Sequence, residues 1–390
     1  MKNEIIILYP NGFPLGGAAT NRVFHIAKII QEGGMNVIIL ITRGTEKKGE
    51  IINKEKKGVY EDIHFLYVNK SVIWPRKIIS KIFNLLIGNL KTILFIYTNR
   101  KKISNIITYA NYSIIDNFFY FFICKFLKIK IIYCIDEYPW SVIYGTDNIF
   151  DKFYINYFYK LFDAFIIMTN KLIIYYSNKT KKNVPIFHLP MTVDIKRFDF
   201  KANLFNKNEY IAYCGGDKTG DKEGVDILVK AFNMICHNFP NIKLYLIGII
   251  HNSIYSLVDE LQLKDKIEIL GFIKYEQISE YLMNAKILCS ARTDIIQNRA
   301  NFPTKLGEFL STGVPVITTN VGEVSNYLID GINSFIVPPN DINSFAMKMN
   351  FVLQNPEIAN EVGLRGKELA FKEFNYKNYI HKLKIFINTI

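Results

Sequence analysis

Apolar residues along this chain fall into two patterns that alternate. Residues 5–8 and 37–41 are unbroken apolar runs of strand length. Between them Val23, Ile26, Ala27 and Ile30 recur at i, i+3, i+4 and i+7, the spacing of one helix face. Gly33-Gly34 stops that helix. A loop at residues 9–19, holding Gly12, Gly16 and Gly17, joins the first strand to it. Strands and helices in this rhythm predict a parallel sheet covered on both faces.

The rhythm restarts near residue 205. Residues 211–213, 243–247, 267–270, 287–289, 316–318 and 334–337 read as strands. Val225, Leu228, Val229, Phe232 and Cys236 share a helix face, and the chain beyond Asp341 reads as helices. A length of 390 residues fits two domains of ordinary size. The expected layout is an α/β protein with doubly wound domains at 1–195 and 205–375, a linker over 185–205, and a last helix at 376–390.

Residues 45–130 are less regular. Over 77–97, Lys77, Lys81, Asn84, Gly88 and Lys91 recur at helical steps, so they form a polar stripe on an otherwise Ile-, Leu- and Phe-rich helix. A basic stripe along its full length argues against a lipid-spanning segment. Two readings stay open: the helix lies on a membrane surface, or it is a core helix whose edge meets water. Phe118, Phe119, Phe121 and Phe122 are expected to pack a helix against the strand at 129–133.

Charge changes this picture. The net charge is +13. Residues 1–200 hold 28 Lys and Arg against 15 Asp and Glu, whereas residues 201–390 hold 20 of each. A basic half points to an anionic partner such as a membrane surface or a lipid diphosphate. Nucleic acid is not expected, because no recognition motif accompanies the charge. Five scattered cysteines read as reduced core thiols of a cytoplasmic protein. No secretory leader pattern precedes the first strand, so the expected location is the cytoplasmic side, peripheral on the membrane's inner face.

The strongest chemical signal is the run Asn301-Phe302-Pro303-Thr304-Lys305-Leu306-Gly307-Glu308, followed by Gly313-Val314-Pro315-Val316. A helix starting near Thr304 aims free backbone N–H groups and a positive dipole end at an anion, and Lys305 adds a cation. This run resembles the signature of family-four retaining glycosyltransferases of the GT-B fold, in the subgroup carrying Phe-Pro-Thr-Lys-Leu-Gly-Glu. The resemblance covers most of the chain. Gly16-Gly17 matches the family's N-terminal glycine loop, and Lys222 before Gly224-Val225-Asp226 matches its phosphate-binding lysine region. Asp194–Phe198 is similar to its hinge, and Asp136-Glu137-Tyr138-Pro139-Trp140 to its acceptor-side motif.

The resemblance implies two Rossmann-like domains with an interdomain cleft. It implies a retaining, metal-independent transfer from a nucleotide sugar to a glycan or lipid-linked acceptor in cell-surface polysaccharide assembly. Gly16, Gly17, Lys222, Arg292, Asn301, Phe302, Pro303, Thr304, Lys305 and Glu308 would bind the donor, with Glu308 on the ribose. Asp136 and Glu137 would serve catalysis on the acceptor side. No cofactor and no metal is expected, and no Asp-x-Asp triplet occurs. The departing phosphate would itself take the acceptor's proton.

Two positions depart from the family pattern. Ala300 stands where the first motif glutamate belongs, so backbone N–H groups of Asn301 and Phe302 are expected to replace it. Gly215-Gly216 replaces the usual Gly-Arg, leaving Lys218 or Lys222 as phosphate ligand, Lys222 preferred, with Arg292 and Arg299 as candidate guanidinium donors. The rival readings are a non-catalytic scaffold for glycan assembly, which a lost glutamate would allow, and a sugar-nucleotide 2-epimerase. The epimerase would need acid/base carboxylates and histidines that cannot be assembled here.

Overall fold

The computed structural model describes residues 3–109, 113–145, 149–199, 209–216 and 220–390. The chain divides into two compact units, Met1–Pro190 with Tyr376–Ile390, and Met191–Asn375.

The first unit is an eight-stranded sheet. Its strands are β1 (Glu4–Tyr9), β2 (Asn36–Ile41), β3 (Lys57–Tyr60), β4 (Ile63–Tyr67), β5 (Ile103–Tyr109), β6 (Lys130–Ile135), β7 (Ala164–Ile167) and β8 (Ile186–His188). They lie in the order β3-β4-β2-β1-β5-β6-β7-β8, parallel except for the antiparallel β3–β4 pair. Central strands such as β1 and β6 are buried on both sides, which is why they read as continuous apolar runs. Strand β8 lies inside the stretch expected as linker. The chain leaves the sheet only after it, and the unit boundary falls at Pro190.

Helix α1 (Ala18–Glu32) buries Val23, Ile26, Ala27 and Ile30. The same core takes in Tyr376, Leu383 and Ile387 from the chain's last segment. Tyr376 donates a 2.6 Å hydrogen bond to Glu32, and its ring stacks on His25 at 5.8 Å. His25 is thus a buried packing residue.

Helix α2 (Ile78–Asn99) is not the core helix of one open reading, and helix α3 (Ile114–Phe126) departs from expectation. Helix α2 turns its polar stripe towards the protein. The Asn84 side chain accepts from the Gly44 N–H at 3.3 Å, and Asn89 donates to Asp116 at 2.6 Å. Helix α3 buries Phe121, but leaves Phe118, Phe119 and Phe122 exposed. The expected Phe cluster in the core is therefore corrected. Four phenylalanines within five positions span more than one helix face, and only the Phe121 side meets the sheet.

The second unit is a six-stranded parallel sheet of β9 (Tyr210–Cys214), β10 (Lys243–Ile247), β11 (Ile267–Gly271), β12 (Ile287–Ser290), β13 (Val316–Thr319) and β14 (Phe335–Val337). The order β11-β10-β9-β12-β13-β14 reverses direction beside β9, the switch point of a doubly wound sheet. Loops after β9 and β12 therefore diverge at the strand C-terminal ends.

A glycine fixes α2 in place. A β-carbon on Gly88 would stand 2.2 Å from the Thr42 carbonyl oxygen, just past β2. Alanine is the better helix former by about 1 kcal/mol, yet overpacking against backbone outweighs that. Gly88→Ala should destabilise the chain by about 2 kcal/mol. Thermal unfolding checks this, and an unchanged or raised Tm would refute the close approach.

Candidate functional site

In the second unit, cationic side chains converge on one buried carboxylate. The loop after β9 leads to Glu223, immediately before the helix Val225–Ile235. Lys305, in the first turn of the helix Thr304–Thr312, donates to Glu223 Oε2 at 2.6 Å and to the Tyr213 hydroxyl at 3.1 Å. Its ammonium also sits 4.2 Å over the Tyr213 ring. Arg292, from the loop after β12, lies 3.5 Å from Glu223 Oε1 and donates to Asn301 Oδ1 at 2.8 Å. Burial pushes the Glu223 carboxyl up, but Lys305 and then Arg292 outweigh it and hold the group down at about 2.

The helix Thr304–Thr312 has Pro303 at its N-cap, and no side chain caps it. Its first turn thus carries N–H groups that no side chain caps together with the Lys305 ammonium, the makings of an anion site. The loop before it is pinned from behind. Gly322 has φ +71°, and a β-carbon there would meet the Asn301 carbonyl oxygen at 2.1 Å. Phe302 is buried among aromatic rings, 5.3 Å from Tyr327 and 5.2 Å from Phe374. Its side chain therefore anchors the loop.

One turn along the helix, Glu308 accepts from Arg197 at 2.7 Å. Arg197 also donates to the Tyr275 carbonyl oxygen at 3.2 Å and lies 3.6 Å over that residue's ring. Lys222 is half-buried next to Glu223, and its carbonyl oxygen receives the Asn298 amide at 2.8 Å. Arg299, offered as a replacement guanidinium, is instead paired with Asp294 at 2.8 Å on an exposed surface. Ala300 is buried and carries no polar side chain to any ligand. Lys218 lies outside the described residues.

The first unit holds the remaining candidates. Gly16 and Gly17 form the turn into α1, whose N-terminus has no side-chain cap and no acidic residue in its first turn. Asp136 and Glu137 follow β6 at its C-terminal end. Asp136 accepts a short hydrogen bond from the Tyr109 hydroxyl. Burial raises the Asp136 carboxyl, and the nearby Arg22 guanidinium partly offsets this. Arg22 is itself buried and donates to the Leu189 and Pro190 carbonyl oxygens at 2.7 and 2.9 Å. The Glu137 carbonyl oxygen receives the Tyr176 hydroxyl at 3.2 Å. Among the described residues, no three His, Cys, Asp or Glu side chains group as metal ligands.

Residues 194–369 match the family model described as glycosyl transferases group 1. The match takes in nearly all of the second unit. An uncharacterized glycosyltransferase of Methanocaldococcus jannaschii is 26% identical over 184 residues, 46% of this chain and 48% of the relative. The capsular polysaccharide biosynthesis glycosyltransferase CapM of Staphylococcus aureus is 27% identical over 191 residues, 48% of this chain and 47% of its own. The chain thus spans about half the length of the curated relatives it matches. Among solved structures, sucrose-phosphate synthase from Thermosynechococcus elongatus is similar with TM-score 0.76 at 17% identity, covering 99% of this chain and 98% of its own. Anabaena HepE, solved in complex with UDP-glucose, is similar with TM-score 0.75 at 12% identity, covering 99% of this chain and 100% of its own. The fold class is that of GT-B glycosyltransferases.

Within the second unit, Lys305, Arg292, Asn301 and Glu308 come together with two partners that sequence reasoning passed over, Glu223 and Tyr213. In the sequence Arg197 reads only as part of a hinge. Glu223 had one available signal: a carboxylate directly before Gly224, at the mouth of a site otherwise read as cationic.

The ion pairs make stability depend on pH. Because the folded-state carboxyl is depressed from its ordinary 4.5 to about 2, the contribution is complete above pH 4.5 and lost as pH falls towards 2. Glu223→Gln should cost about 3 kcal/mol at pH 7 and flatten the acid limb of the stability profile. Thermal unfolding between pH 2 and 7 tests it, and parallel profiles for the two proteins would refute the assignment.

Proposed function

We propose that the chain is a retaining glycosyltransferase that moves a sugar from a nucleotide diphosphate donor onto a glycan or lipid-linked acceptor. The observation that carries this reading is the convergence of Lys305 and Arg292 on a buried anionic group beside the uncapped start of the helix Thr304–Thr312. A site that stabilises one carboxylate this strongly suits the diphosphate of a sugar donor, whose charge grows as the sugar leaves.

In this reading the donor phosphates meet Lys222, Lys305 and the N–H groups of Thr304 and Lys305. Asn301, steadied by Arg292, and the backbone of Phe302 and Pro303 meet the sugar. Glu308 accepts from the ribose hydroxyls, oriented by Arg197. Gly16 and Gly17 let backbone approach the donor from the first unit. Asp136 and Glu137 hold acceptor hydroxyls. The acceptor oxygen bonds to the anomeric carbon as the carbon–phosphate-oxygen bond breaks, and its proton passes to the departing phosphate. No metal is assigned to this step; cations and helix N–H groups take its place.

The name of the Staphylococcus relative, and the sugar nucleotide bound to HepE, support a role in cell-surface polysaccharide assembly with a nucleotide sugar as donor. The basic first half supports work at an anionic membrane, on its cytoplasmic face.

Donor turnover decides the assignment. Lys222→Ala, Lys305→Ala and Glu308→Ala should each lower kcat/KM by about a hundredfold, with activity unchanged in EDTA. The product's anomeric configuration, read by NMR, should equal the donor's. Full activity in both Lys222→Ala and Glu308→Ala would sink the site, and an inverted product would sink the retaining mechanism.

A further inference from the structure

Helix α2 is amphipathic in the reverse sense from a domain helix. Its inner side is polar: Asn89 accepts from Tyr120 at 2.7 Å and donates to Asp116 at 2.6 Å, while Asn84 joins Asn69 at 3.1 Å. Its outer side is apolar, with Ile78 74%, Phe83 60%, Leu90 65% and Leu94 59% exposed. Helix α3, packed beside it, does the same with Phe118 and with Phe126, which is 76% exposed. Fourteen large apolar side chains on these two helices face outward. That is well beyond the roughly 300–600 Å² patch an ordinary monomer leaves uncovered. A helix facing water carries the opposite pattern.

Charge identifies what covers this face. Residues 76–102 contain seven Lys and Arg and no Asp or Glu. Lys125, Lys128 and Lys130 end or follow α3, Asp163 pairing with Lys125 at 2.8 Å and with Lys130 at 3.8 Å, and the helix's single carboxylate, Asp116, is buried against Asn89. A second copy of the same face would bring these cations against one another. An anionic lipid surface offers acyl chains to the apolar side chains and phosphates to the lysines.

At 22 residues and a mean hydropathy of 1.5, α2 is long and apolar enough to cross a bilayer. Crossing would strip Asn84, Asn89 and Gly88 from the contacts that hold it to the unit. An in-plane position keeps those contacts and buries only the outer side.

We propose that α2 and α3 insert their outward apolar faces into the headgroup–acyl boundary of an anionic bilayer, as an in-plane anchor. This deepens the membrane part of the reading above and rests on it. The lysines flank the inserted face and add attraction; the apolar side chains supply the hold.

The test uses the full chain with phosphatidylcholine vesicles, with and without phosphatidylglycerol. In Leu90→Trp, brominated acyl chains should quench the added indole, beyond any change in the wild-type Trp74 and Trp140. The triple variant Ile79→Ser/Phe83→Ser/Leu90→Ser should lose at least about tenfold in partitioning onto anionic vesicles. Its donor turnover in vesicle-free buffer should match the parent. Part of the binding should survive 1 M salt.

Vesicle binding without quenching of the new indole, or binding abolished by salt, would reduce the contact to surface adhesion and overturn insertion. So would a parent dimer that the triple variant converts to monomer with no vesicle binding by either. If the parent binds vesicles with quenching yet turns over no donor, the anchor stands and the transferase reading fails.

Discussion

The buried contact of Glu223 with Lys305 and Arg292 is the constraint on which the second unit's site depends. It joins three segments that the sheet brings to one end: the loop after β9, the loop after β12 and the helix Thr304–Thr312. Placing three charges away from water is costly, and an apolar substitute of equal volume would often be as stable. What an apolar trio could not do is hold an ammonium and a guanidinium in fixed positions while leaving their charge available. Glu223 keeps both oriented, and Tyr213 and Asn301 take up further donors of each. Position is therefore secured before a ligand arrives, which is the condition for electrostatic stabilisation without reorganisation.

The same logic extends along the helix. Glu308 stands one turn from Lys305 and is fixed by Arg197, itself held by the Tyr275 carbonyl and ring. Each chemically useful side chain is thus braced by an oppositely charged neighbour that touches something rigid. Such bracing costs acid stability, because the Glu223 carboxylate must remain ionised to hold its partners. The first unit is arranged differently. There Asp136 meets the Tyr109 hydroxyl and lies near the buried Arg22, so burial is the largest influence on its charge.

Sequence reading reached the second unit well. Its strands are short apolar runs, three of them closed by Gly215, Gly248 or Gly271, and the motif from Asn301 to Glu308 marks the helix start directly. Spacing in a sequence reports neighbours along one element, so it placed Lys305 and Glu308 on one helix. It could not report Glu223, Tyr213 or Arg197, which reach the site from separate segments 82, 92 and 111 positions away in chain order. In the first unit, β3 and β4 escaped because the pair lies at the sheet edge and alternates between exposed and covered residues. Strand β8 escaped because two prolines and a polar flank disguise it as linker.

The periodicity over residues 77–97 leaves one feature that only the folded chain decides. A repeat of polar positions at steps of three and four establishes that a helix has two faces, but carries no sign saying which one meets the protein. The sign lies in chemistry that periodicity ignores. Asn84, Gly88, Asn89 and Thr92 are small enough to lie against backbone and to satisfy one another. The lysines stand where the helix emerges, with Lys77 exposed and Lys81 and Lys91 half-covered at the border. Small hydrogen-bonding residues in the middle of a stripe and long cations at its margins are the arrangement of an inward polar face. With the polar face inward, the apolar one is left to whatever lies outside. A water-exposed surface of that breadth would carry the full hydration cost of its Ile, Leu and Phe side chains. A lipid surface removes that cost and answers the lysines in the same contact, which makes the helix's inverted pattern consistent with the charge of the half that carries it.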